Sequence, residues 1–241
     1  GELERLLAGA DFTGIALAVL DEQIFVGALE ALKDFEEQPL VQAQLLQVVA
    51  KTLKELGLFE MALEPQEQAL EIRRRELGED HPDTVTSIGN LGKLIMHQGK
   101  YVDAEPFLRE ALEIHRRELG DEHPATLDSV GSMGYLLSKQ GKYAEAEPLY
   151  REALEGFRRT LGDEHPDTLT SITHLGTLSW QQGHYDDAEP LLSEALEGQR
   201  RTLGDEHPNT LTSIHNLGVL LKSQGKYDDA RPFYREALEG R

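Results

Sequence analysis

The sequence predicts an all-α protein built as an α-solenoid of antiparallel helix pairs, and three observations predict it. One short stretch recurs: LGEDHPDT from Leu77, LGDEHPAT from Leu119, LGDEHPDT from Leu161 and LGDEHPNT from Leu203, which sets Gly78, Gly120, Gly162 and Gly204 42 residues apart. Between these marks the apolar residues step by three and four, the period of a helix face. Each unit holds two such runs, and two antiparallel helices of about four turns cannot bury both faces alone, so each pair must stack on its neighbours.

Taken in order, Leu17, Leu20, Ile24, Ala28, Ala31 and Phe35 form a helical stripe from about Thr13 to Glu37. It is expected to supply capping helices over residues 1–35. A divergent first repeat, 36–77, keeps Ala50, Gly57, Phe59, Ala62 and Ala69 in phase but lacks a preceding His-Pro. Four regular repeats follow at 78–119, 120–161, 162–203 and 204–241. The last closes inside a helix at Arg241, as a piece of a longer array would.

The second repeat shows the pattern. Val85, Ile88, Leu91, Leu94 and Ile95 make one apolar face from Thr84 to Gln98, the A helix. Pro82 stands where a missing N–H costs nothing, and Gly99 stops the helix. From Tyr101, the residues Ala104, Phe107, Leu108, Ala111, Leu112 and Ile114 define the B helix, which Gly120 ends. Arg116 and Arg117 in its last turns suit the negative end of the helix dipole. Position 114 is Ile here and at 72, but Gly at 156, 198 and 240, where each Gly weakens a helix by roughly 0.5–1 kcal/mol relative to Ala. Periodicity alone gives no reason for it.

Composition narrows the function classes. A formal net charge of -20 with a pI near 4.8 repels phosphate backbones and anionic membrane surfaces, so neither nucleic acid nor membrane is an expected partner. No apolar run approaches the ~20 residues of a membrane span. The sequence shows no basic-then-apolar secretory leader, and with no cysteine a cytoplasmic protein is expected. There is no cysteine, hence no disulfide, thiolate nucleophile or Cys-based zinc site. A strand followed by a glycine-rich phosphate loop, a nucleophile elbow and a zinc motif are all missing. His81, His123, His165 and His207 lie one repeat apart, too far to share an ion, and read as helix-start residues. No catalysis, cofactor or metal is expected.

Asn90, Leu91, Gly92 and Ile95, then QGKY at 98–101, then Ala104, Leu108 and Ala111 resemble the tetratricopeptide repeat. The same signature returns at 133–154, 175–196 and 217–238. The usual repeat has 34 residues, and the eight extra ones here resemble the longer repeats of kinesin light chains. The resemblance implies a right-handed superhelix whose A helices line a concave groove and whose B helices form the outside.

Charge agrees with that division. The windows 84–98, 126–140, 168–182 and 210–224 contain one acid, Asp128, whereas the B windows 101–118, 143–160, 185–202 and 227–241 contain 18, read as a solvated face. An acid-poor lining accepts a carboxylate-bearing segment without like-charge repulsion. The groove positions implied by the family are Gln47, Lys51, Lys54, Asn90, Lys93, His97, Tyr135, Lys139, Thr173, His174, Thr177, Trp180, His215, Asn216 and Lys222. Asn90 and Asn216 keep the family's groove asparagine, and Ser132 and His174 replace it. Trp180 reads either as a binding anchor or as packing between repeats.

The expected function is therefore a non-catalytic scaffold holding a peptide segment of a protein partner, acidic or carboxylate-ended. The alternatives are a structural array or spacer that self-associates end to end through an uncapped C-terminal face, or a regulatory segment of a larger signalling protein.

Overall fold

The computed structural model describes residues 27, 29–35 and 37–240. Leu17, Leu20, Ile24 and Ala28 of the N-terminal stripe lie outside them, as does Arg241. Leu32–Phe35 forms a single 3-10 turn, with Leu32 buried against Ala43, Leu46 and Ile72. The remaining regular structure is helix, with no strand among the described residues.

The helices group into two compact units, divided between Gln98 and Gly99. The first contains α1 (Pro39–Glu55), α2 (Phe59–Leu77) and α3 (Pro82–His97). The second contains α4 (Tyr101–Leu119), α5 (Pro124–Lys139), α6 (Tyr143–Leu161), α7 (Pro166–Gln181), α8 (Tyr185–Leu203), α9 (Pro208–Ser223) and α10 (Tyr227–Glu239). Within it, A helices α5, α7 and α9 alternate with B helices α4, α6, α8 and α10, each packed on the next.

The recurring loop sets these boundaries. The B helices α2, α4, α6 and α8 each run into a glycine at positive φ, a conformation that residues with a side chain rarely adopt, as at Gly162 with φ 89°. Proline then opens the next A helix. The histidine before it is the N-cap: Nδ1 of His81, His123 and His165 accepts the backbone N–H two residues on at 3.2 Å, and that of His207 at 3.1 Å. An imidazole thus does the work usually given to Ser or Asp at this position. The B helices α4, α6, α8 and α10 carry a proline at their sixth residue, Pro106 in α4 for example, which removes one intrahelical bond in the second turn.

Small residues set the helix spacing. A β-carbon on Gly134 would lie 3.1 Å from the Tyr150 ring, and one on Gly176 2.9 Å from Leu192. The glycines at 156, 198 and 240 have the same cause: a β-carbon there would overlap the Cδ2 methyl of Leu127, Leu169 and Leu211 respectively, each in the paired A helix. In the divergent repeat the sizes are exchanged, with Ala43 in the leucine register and Ile72 in the glycine register, both in one buried cluster. The helix-weakening glycine makes room for a larger partner.

The B-helix acids do more than face water. In the second unit Arg116 pairs with Glu152 at 2.5 Å, Arg158 with Glu194 at 2.7 Å, and Arg200 with Glu236, each joining a B helix to the next. Gln140, Gln182 and Gln224 donate to Glu105, Glu147 and Glu189 of the preceding repeat at 3.1, 3.4 and 2.9 Å. The Gln140 bond, then Arg109, holds the Glu105 carboxyl below its ordinary value; Gln224, then Lys226, does the same for Glu189. Exposed pairs contribute little singly. Their repetition favours one register of repeat on repeat.

Candidate functional site

In the first unit, Gln47, Lys51 and Lys54 of α1 and Asn90 of α3 converge on a cleft of about 170 Å³, with Gln66 and Leu94 completing its wall. One-turn spacing on α1 puts Gln47, Lys51 and Lys54 on the same face. His97 stacks on Phe59, ring centroids 5.3 Å apart and planes 7° from parallel. Desolvation of the stacked ring, then the charges of Lys54 and Lys93, lowers its pKa, so His97 stays neutral beside two cations.

In the second unit, Tyr135, Lys139, Thr173, His174, Thr177 and Asn216 line one cleft of about 370 Å³, with α5, α7 and α9 each contributing. Thr170, Asn209, Thr212, Ser213 and Gln199 complete it, and no carboxylate is among the lining residues. His174 packs between Tyr135 and Tyr150, with centroids at 5.6 and 5.3 Å. Burial drives its pKa down to about 4, with Asp128 opposing and Lys139 assisting. The Lys139 ammonium lies 5.0 Å from the centre of the Tyr135 ring, a cation–π distance. Thr173 and Ser213 hydroxyls approach to 3.3 Å, Gln199 Nε2 reaches Thr173 Oγ1 at 3.5 Å, and Gln199 Oε1 has no protein partner.

Trp180, His215 and Lys222 do not line this cleft. Trp180 packs against the last helix pair, and its indole N–H donates to Ser223 Oγ at 3.0 Å. His215 meets the Tyr234 ring edge-on at 5.8 Å, and Lys222 is exposed in the last turn of α9.

Sequence reasoning missed the polar residues that B helices send beneath the A face. Arg73 in α2 and Gln199 in α8 stand in the register of Phe157, and both are buried. Arg73 Nη1 donates to Gln47 Oε1, to Ser87 Oγ at 2.6 Å and to the Asp83 carbonyl at 3.3 Å, while Gln66 donates to the Ser87 carbonyl at 3.2 Å. The register itself mixes Arg73, His115, Phe157 and Gln199, so spacing carried no signal that its polar members are buried.

Two tetratricopeptide repeat family descriptions match the chain, one over residues 86–146, 129–201 and 172–241, the other over 43–83. This chain belongs to the tetratricopeptide repeat family. With the family comes its fold class, the right-handed α-solenoid of antiparallel helix pairs. Mouse (Mus musculus) nephrocystin-3 is 36% identical over 115 residues, which is 46% of this chain and 8% of nephrocystin-3. The chain thus spans a small part of the curated relatives it matches. A crystal structure of kinesin light chain-like, nearly identical TPR-like repeats from Podosopora anserina has 26% identity and a TM-score of 0.63, covering 81% of this chain and 92% of that one. BtubC from P. vanneervenii shares the fold at 21% identity and a TM-score of 0.69, with 91% and 89% covered. Among the described residues of this tetratricopeptide repeat protein, no helix is long and apolar enough to cross a membrane.

Proposed function

We propose that the chain is a non-catalytic protein-interaction module whose A-helix faces hold an extended, carboxylate-bearing peptide segment of a partner. One observation carries the reading: in a protein of net charge -20, the clefts at Asn90 and at Asn216 are lined without a single Asp or Glu, and the larger cavity beside α1 has only one, Asp83. Lys51 and Lys54 stand in the first and Lys139 in the second, so an acidic segment meets cations there and like charge elsewhere. Asn90 in one cleft and Asn216 in the other each offer an amide that can pair with a peptide backbone in both directions. The neutral His174 and the surrounding hydroxyls add hydrogen bonds without adding charge.

Lys54→Glu in the first cleft and Lys139→Glu in the second, made separately, test the electrostatic basis in each unit. Either reversal is expected to weaken a fluorescent acidic peptide by roughly tenfold, about 1.4 kcal/mol, with helical content unchanged. Affinity unchanged in both variants would refute the charge basis of binding.

A further inference from the structure

Arg73 is 8% exposed, and its charge has no carboxylate in contact. Every hydrogen bond it makes to the described residues leaves from Nη1, toward Gln47, Ser87 and the Asp83 carbonyl. Nε and Nη2, the other edge of the guanidinium, make none. Among the described residues no Asp or Glu forms an ion pair with it; the Asp83 carboxylate, beside His81 at 4.0 Å, acts on it only through space. Burial lowers its pKa against that attraction. A buried cation is ordinarily paired, because desolvating an unpaired charge is unfavourable.

The arrangement is particular to one repeat. In the register of Arg73 the later repeats carry His115, Phe157 and Gln199, and in the register of Gln47 they carry Gly89, Gly131, Thr173 and His215. Arg73 fronts a cavity of about 640 Å³ with Gln44, Lys51 and His81 on its polar side and Leu40, Val48 and Leu77 on its apolar side. Gln47 and Ser87 fix the guanidinium through one nitrogen, so little freedom remains to be lost when the other edge is engaged.

We infer that this pocket is a carboxylate-recognition site, in which the Nε–Nη2 edge of Arg73 forms a bidentate pair with a carboxylate of the bound peptide and Lys51 assists from the rim. The two parallel N–H groups match the two oxygens of a carboxylate. Asp83 at the same cavity penalises a doubly charged phosphate more than a singly charged carboxylate. That the carboxylate belongs to a peptide rests on the function proposed above; the site itself does not.

The test is a titration of the full chain, followed in ¹H–¹⁵N spectra at the Arg73 Nε–Hε resonance, with sodium acetate, neutral acetamide and inorganic phosphate as probes. Acetate is expected to shift the resonance saturably, acetamide not to, and phosphate to bind more weakly than acetate. Arg73→Gln, which introduces the residue found at 199, is expected to abolish the saturable acetate shifts of neighbouring backbone amides. Arg73→Lys keeps the charge without the fork and is expected to lose about tenfold in affinity, which also decides the matter if the glutamine variant loses helicity. A non-saturable acetate response, equal binding by folded Arg73→Gln, or undiminished affinity in Arg73→Lys would overturn the site, and tighter phosphate would overturn its assignment to carboxylate. Acetate binding at Arg73 with no peptide retained leaves the site and removes the peptide reading; peptide binding indifferent to Arg73 does the reverse.

Discussion

His174 shows how one residue couples the cleft to stability. Its ring packs between Tyr135 and Tyr150, with the Lys139 ammonium above Tyr135 and Asp128 near enough to oppose the shift, and its folded pKa falls to about 4 from an ordinary 6.5. The unfolded chain therefore takes up a proton that the folded chain refuses in this interval. The stabilisation is complete above 6.5 and is lost as pH falls toward 4. His174→Asn, the residue found at 90 and 216, should flatten this part of the stability profile. Denaturant unfolding of both proteins across that range checks it, and parallel pH profiles would contradict the burial argument. The family register placed His174, Tyr135 and Thr177 on one face, and the structure brings them together. Arg73 and Gln199 escaped notice because a B-helix position gives no sign, from spacing alone, of reaching beneath an A helix.

The helix ends were legible because Gly, Pro and the apolar period act locally: the expected helices starting near Thr84 and at Tyr101 are Pro82–His97 and Tyr101–Leu119. The glycines at 156, 198 and 240 were not explicable that way, since their reason lies across the helix pair in Leu127, Leu169 and Leu211. Gly156→Ala should therefore destabilise by about 1 kcal/mol, because overpacking of ~1–3 kcal/mol exceeds the helix-propensity gain of at most ~1 kcal/mol. Leu127→Ala should cost about 2 kcal/mol or more as a cavity. Combining Leu127→Ala with Gly156→Ile reproduces the Ala43 and Ile72 pairing of the divergent repeat. The double variant should be more stable than the sum of its single losses by at least about 1 kcal/mol, read from urea unfolding. Strict additivity would show that the two positions do not share one space.

At the scale of the whole chain, charge has two uses. Acids on the B helices and loops carry the net charge of -20, and several bridge one repeat to the next. The clefts at Asn90 and Asn216 exclude acids. The first use was only half visible in sequence: the count located the acids, but a pair such as Arg158 with Glu194, 36 residues apart, depends on how repeats stack. The second was visible as soon as the A windows were counted. What the sequence could not specify was which groove positions share a cleft: Trp180 packs on a neighbouring helix pair, whereas Lys139, one residue away in the repeat register, borders the opening.

The most direct test of the central claim is selection of a random peptide library on the full chain, counter-selected on the Lys54→Glu/Lys139→Glu variant, with light-scattering mass measured at two protein concentrations. The account predicts enriched acidic peptides that the variant fails to retain, and a mass that does not change with concentration. No enrichment, with mass rising as protein is added, would contradict it and make association between copies the property these repeats serve.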